Sequence, residues 1–224
     1  QIKLVPTVYP FEDMHTNLSL ALQAGKGAPD LVDIEFGKYA NFLKGDIQLE
    51  PLNDIVEPEL PNIIKARVDI YSKDGKYYGI CFHVGAAVIW YNKELCDSAG
   101  INYEDIKTWD DYYEAAKKFK EANPDKYWMS VESSDIWHMW PQLAELGADM
   151  TDADGNPTID TPEMARVLEY NRKMVNEELA VVAPGTYHHA EEFYSMMDGG
   201  NIASLVMPFW YIDRFTNYMP DLKG

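Results

Sequence analysis

The chain has 224 residues, 46% of them hydrophobic and 25% charged, the composition of one large folded domain or two modest ones. Disordered, collagen-like and other low-complexity classes are excluded. Nineteen basic against 37 acidic side chains leave a formal charge of −18, which repels nucleic-acid phosphates and anionic membrane surfaces, so no nucleic acid is expected as a partner.

The longest apolar stretch, residues 79–91, is broken by His83 and falls short of the roughly 20 residues that a spanning helix needs, so no direct membrane insertion of this segment is expected. Cys81 and Cys96 form no CxxC pair, which excludes a thiolate zinc knuckle and a disulfide-rich scaffold and leaves two free thiols. Gln1 opens directly in a strand-like run with no signal peptide or lipidation box, so any export segment is expected to be already removed or never present. Aromatic residues reach 13%, from 6 Trp, 15 Tyr and 8 Phe. That exceeds the needs of a core of this size and predicts rings lining a site.

In chain order, the β-branched run 2–8 predicts a strand ended by Pro10. A helix follows with Met14, Leu18, Ala21 and Leu22 on one face, stopping at Gly25. Residues 31–36 read as a short buried strand, which would complete a right-handed βαβ unit. Residues 39–43 suggest a short helix, and the prolines at 51, 58 and 61 mark irregular chain before a helix near 63–68. Lys73-Asp74-Gly75-Lys76 is a hairpin turn, because Asp-Gly supplies the positive φ angles that tight turns require, with 77–80 pairing back across it. A strand at 86–91 and a helix at 93–99, capped by Gly100, close a first lobe.

Thr108 is a helix N-cap with Asp110 and Asp111 in the first turn and Tyr112, Ala115, Ala116 and Phe119 on the apolar face. Further helices are expected at 136–146, at 162–178 after Thr161, and at 190–197, with a last strand at 202–207. Asp152-Ala153-Asp154-Gly155-Asn156 is superficially similar to a calcium loop, but its glycine is at the fourth position and no glutamate follows at the twelfth. A solvated turn is expected.

No HExxH, GxSxG, GxxxxGK or GxGxxG motif occurs, so the zincin, hydrolase, nucleotide and dinucleotide signatures are absent and no cofactor is expected. The pair His188-His189 with Glu191 and Glu192 would ligate a metal only if its loop folded back. Carboxylates are abundant, yet no spacing nominates two that flank a scissile bond. In Trp137-His138-Met139-Trp140 the two indoles share a helical face at i and i+3 while His138 points elsewhere. Phe209-Trp210-Tyr211 follows the last strand after Pro208 and places three rings at a strand end, where α/β sheets present ligands. Sugar rings stack an apolar face on such aromatics while acids and amides hold their hydroxyls. The alternatives are a carbohydrate-active enzyme such as a glycoside hydrolase, and a binding protein for a peptide, polyamine or metal.

Several segments, weak singly, together resemble the sugar-binding family of extracellular solute-binding proteins of ABC importers, the family of the maltose- and multiple-sugar-binding proteins. They are Ala24-Gly25-Lys26-Gly27-Ala28-Pro29-Asp30-Leu31-Val32, Asp74-Gly75-Lys76-Tyr77-Tyr78-Gly79-Ile80 and Trp90-Tyr91-Asn92-Lys93-Glu94-Leu95. Then come Ala99-Gly100-Ile101, Lys107-Thr108-Trp109-Asp110-Asp111, residues 152–157, Gly199-Gly200-Asn201-Ile202-Ala203 and Pro208-Phe209-Trp210.

The resemblance covers nearly the whole chain and implies an α/β, two-lobed periplasmic-binding-protein fold of mixed sheets with flanking helices, incomplete at both ends. The partial lobes would be 1–105 and 106–224, joined by a hinge and closing on a carbohydrate in the cleft between them. It implies a non-enzyme that works outside the cytoplasmic membrane, in the periplasm or at the cell surface with or without a lipid anchor, and delivers its ligand to ABC transporter permease subunits. By position, Glu35 and Phe36 fall at the first-lobe strand end that contacts sugar, His83 falls in the loop after Gly79-Ile80, Asp135 and Trp137 match the acid and aromatic of the cleft, and Trp210 matches the stacking ring, beside Phe209. The chain departs from the family at His83, where a less polar residue is usual, and at 186–189, which match no motif.

Overall fold

The computed structural model describes residues 2–82, 84–152 and 155–222, which divide between Val84 and Gly85 into two compact units. In the first, helix α1 (Phe11–Ala24) buries Leu18. It ends where expected: Gly25 takes φ 63°, and the amides of Gly25 and Lys26 donate back to the Leu22 and Ala21 carbonyls. Short helices α2 (Phe36–Tyr39), α3 (Asn53–Val56) and α4 (Lys65–Asp69) follow. The hairpin of β1 (Ser72–Lys73) and β2 (Lys76–Tyr77) turns through Asp74 and Gly75 at φ 52° and 75°. A small core gathers Tyr39, Leu43 and Tyr71. Tyr39 donates to the Tyr78 carbonyl at 2.6 Å, and burial, with Tyr71 nearby, pushes its phenol up to about 12.

Two expected strands do not form in this unit. Residues 2–8 and 31–35 carry no strand among the described residues, and Ile2, Val8 and Leu31 are 93%, 90% and 82% exposed. β-Branched composition marks a segment that fits a pleated surface, but a strand also needs a neighbour to pair its backbone groups. The βαβ unit is therefore absent here. Phe36 starts α2 instead of ending a strand, and β2 stops at Tyr77, short of the expected 80.

In the second unit every strand finds a partner. β3 (Ala87–Tyr91) runs antiparallel to β6 (Ser204–Pro208), from Ala87 opposite Pro208 to Tyr91 opposite Ser204. Between them in sequence lie α5 (Lys93–Ser98), followed by Gly100 at φ 61°, and α6 (Trp109–Ala122), where Thr108 is the N-cap that the sequence predicts and Asp111 makes the cap reciprocal. β4 (Met129–Val131) pairs in parallel with β5 (Ala180–Val182). Neither was foreseen, because three residues give too short a run for any period to show. The amides of Ala203 and Ser204 donate to the Tyr127 and Trp128 carbonyls at 3.0 and 2.7 Å, which joins the start of β6 to the start of β4.

Helices α7 (Trp140–Glu145), α8 (Pro162–Asn176), α9 (Glu191–Asp198) and α10 (Ile212–Tyr218) complete the unit. α7 begins four residues later than expected, with Pro141 in its first turn, where a missing N–H costs nothing. Trp128 is fully buried, with the rings of Tyr91, Tyr112 and Phe119 5.4–5.9 Å from its own. A second cluster gathers Phe193, Ile202, Leu205, Met207 and Tyr211. Both cysteines are free, and burial raises the Cys96 thiol to about 11. Among the described residues no helix is long and apolar enough to cross a membrane.

Candidate functional site

Pro208 closes β6, since it has no N–H to continue the ladder, and the chain turns through a short 3-10 segment that fans out three rings. Tyr211 is buried and its hydroxyl donates to the His188 carbonyl. Phe209 is 55% exposed and stacks on Trp90 of β3 at 5.7 Å and 26°. Trp210, between them in sequence, is half-buried.

The stretch after β4 supplies the second half of the site. Asp135 accepts from its neighbour's amide, Ile136, through Oδ1 at 2.8 Å and from Trp137 Nε1 through Oδ2 at 3.0 Å. This carboxyl fixes the Trp137 indole and keeps lone pairs for further donors, because each of its oxygens can accept two. Trp137 meets Trp210 edge to face, with centroids 5.6 Å apart and planes at 81°, and its other neighbour is Trp140 at 6.1 Å. His189 lies nearly flat on Trp210, 5.5 Å away at 12°, with Tyr187 5.9 Å from His189. Burial, and then the charge of Arg214, hold the His189 imidazole below its ordinary value. The arrangement offers ring faces and edges for an apolar surface and a fixed carboxyl for hydroxyl donors. Among the described residues no group of His, Cys, Asp and Glu is placed to hold a metal ion.

Of the residues singled out from sequence, the structure brings Asp135, Trp137 and Trp210 together, with Phe209 next in the chain. Glu35 and Phe36 lie in the first unit. There the Glu35 amide donates to His15 Nε2 at 3.1 Å and its carboxyl caps α2 by accepting from the Lys38 amide at 3.2 Å. Phe36 is partly exposed under the Arg67 guanidinium, 5.8 Å from the ring centre. His83 lies outside the described residues. Sequence reasoning missed His189 and Trp90. Trp90 looks like an ordinary core residue in an apolar run, and His189 was weighed only as half of a possible metal pair. Both reach the aromatic cluster through non-local contacts, so no local pattern marked them.

The family model described as bacterial extracellular solute-binding protein matches residues 1–224. The chain belongs to that family. Among curated relatives, this solute-binding protein is 49% identical over 224 residues to the arabinooligosaccharide-binding protein of Halalkalibacterium halodurans, matching all of this chain and 50% of that protein. It is 41% identical over 225 residues to the arabinooligosaccharide-binding protein of Bacillus subtilis, matching all of this chain and 52% of that one. Among solved structures it resembles an ABC transporter associated binding protein from B. animalis subsp. lactis in complex with β-1,6-galactobiose, at 28% identity and a TM-score of 0.72, over 96% of this chain and 53% of that one. The fold is thus the α/β, two-lobed periplasmic-binding-protein fold that the resemblance implied, and the chain spans about half the length of the curated relatives it matches.

Proposed function

We propose that the chain is part of the carbohydrate-binding component of an ABC importer, working outside the cytoplasmic membrane and capturing an arabino-oligosaccharide for a permease. The observation that carries this reading is the pair Trp137 and Trp210, set edge to face beside a carboxyl, Asp135, that already orients one of them. Stacking rings with a directional acceptor are what a sugar's apolar face and hydroxyls require. The names of the two curated relatives support this sugar class. In the first unit, Glu35 and Phe36 are proposed as ligand contacts. The protein performs no chemistry on its ligand, a reading supported by membership in a family of binding proteins.

The test is thermal unfolding of the intact protein against a panel of mono- and oligosaccharides that includes arabinotriose, with chromatography of the incubated sugars. A ligand that binds only the native state raises the midpoint by mass action. The expected result is a rise with arabinotriose and recovery of the sugar unaltered. Cleaved products would overturn the reading in favour of a hydrolase, and a response to cations or peptides alone would overturn the sugar.

A further inference from the structure

Behind the aromatic cluster lies a buried polar chain that no part of the binding account uses. Ser130 Oγ sits 2.6 Å from His188 Nε2, and His188 Nδ1 sits 3.4 Å from Glu132 Oε1. Glu132 Oε1 also accepts from the His188 amide at 2.8 Å, and the Glu132 amide donates to His138 Nδ1 at 3.3 Å. Hydroxyl, imidazole and carboxyl stand in the order of a serine hydrolase, but His188 Nδ1 makes no hydrogen bond to the carboxyl. Ser130 is only 1% exposed, however, and the His188 and Glu132 side chains are fully buried, so no acyl group can reach the hydroxyl.

The chain acts on geometry instead. Ser130 and Glu132 belong to β4 and the residue just beyond it, whereas His188 belongs to a turn that the backbone does not favour. Gly185 and Thr186 are both left-handed, at φ 72° and 75°, and a β-branched threonine is strained there. The turn is tied to the β4 side by the Ser133 amide, which donates to the Thr186 carbonyl at 2.9 Å, and by the His188 amide, which donates to Glu132 Oε1 at 2.8 Å, while the Tyr211 hydroxyl, from the segment after β6, donates to the His188 carbonyl. The next residue is His189, stacked on Trp210.

We propose that Glu132, His188 and Ser130 are positioning residues of the ligand site: they lock the 186–189 turn onto β4, so that His189 lies flat on Trp210 and fixes the orientation in which that indole meets its ligand. The ligand role of Trp210 rests on the function proposed above, whereas the lock itself does not.

The experiment is a pH titration of tryptophan emission in the intact protein, with no sugar, from about pH 8 down to about 4, because a histidine ordinarily changes charge between about pH 8 and 5 and burial holds His189 below its ordinary value. An imidazolium on an indole face quenches it. The groups facing His189 are Arg214, Glu132, Asp135 and His188. Wild type shows a quenching step on acidification, and H189Q and W210F each lack it. E132A loses at least half of the step, E132Q, which keeps an acceptor for the His188 amide, restores it, and E132A binds arabinotriose about fivefold more weakly than E132Q. Should E132A fail to fold, S130A, which removes a single hydroxyl, carries the test and loses part of the step with its circular dichroism unchanged. A full step in a folded E132A or S130A, or no step in wild type, overturns the proposal. A wild type that shows the step but binds no arabinotriose overturns the sugar and leaves the lock standing.

Discussion

The two units of this chain treat the same kind of sequence differently. In the second, β3, β4, β5 and β6 each have a partner, and Leu205, Met207 and Ile202 are fully buried. In the first, segments of similar apolar, β-branched character at 2–8 and 31–35 form no strand among the described residues; 2–8 stays exposed, whereas Ile34 packs on the Tyr39, Leu43 and Tyr71 core without joining a ladder. Pairing, not composition, decides whether such a run is a strand, and a partner is a property of the rest of the chain.

The sharpest way to test that contrast is to truncate one leucine in each unit. Leu205→Ala, at a fully buried position of β6, is expected to cost about 2–5 kcal/mol, because it opens a cavity in a packed core. Leu4→Ala is expected to stay within about 0.5 kcal/mol. Denaturant midpoints of the two variants check this, and equal losses would mean that the first unit's apolar segments are buried in solution.

The second unit also stores a fully buried histidine, His188. Burial, followed by the charges of His138 and His189, holds the His188 imidazole well below its ordinary value, with Ser130 and Glu132 as its polar neighbours. Below about pH 6.5 the unfolded chain takes up a proton that the folded chain refuses. Stability therefore rises with pH through that window and falls on acidification, by about 1.4 kcal/mol per pH unit for this one group. Denaturant titrations at neutral and mildly acidic pH should show a smaller acid loss in His188→Gln than in wild type, and equal losses would remove His188 as the cause.

The smallest effect concerns local signals. The reciprocal cap of α6, in which the Asp111 amide donates to Thr108 Oγ1 at 3.1 Å and the Thr108 amide donates to Asp111 Oδ2 at 2.9 Å, predicts a loss of about 1 kcal/mol for Thr108→Ala. A melting temperature unchanged by that substitution would show that tertiary packing alone holds the helix.

Features specified within a few residues were legible in the sequence: the cap at Thr108, the Asp74-Gly75 turn, the stop at Gly25 and the rings after Pro208. Features specified by distant chain were not. β4 and β5 are three residues each and exist because they pair with one another, while the two residues just before β4 bond the start of β6. The site divides in the same way. Asp135, Trp137 and Trp210 were named from motif position, whereas His189 and the Ser130, Glu132 and His188 chain behind it depend on a turn at 185–186 that folds against β4 from more than fifty residues away in sequence.

The central claim is that Trp210 is a sugar-stacking surface, and calorimetric titration of arabinotriose into the intact protein and its Trp210→Ala variant tests it most directly. The account predicts binding by the wild type and an affinity at least tenfold weaker, about 1.4 kcal/mol or more, in a variant that remains folded. Equal affinities in the two proteins would contradict it.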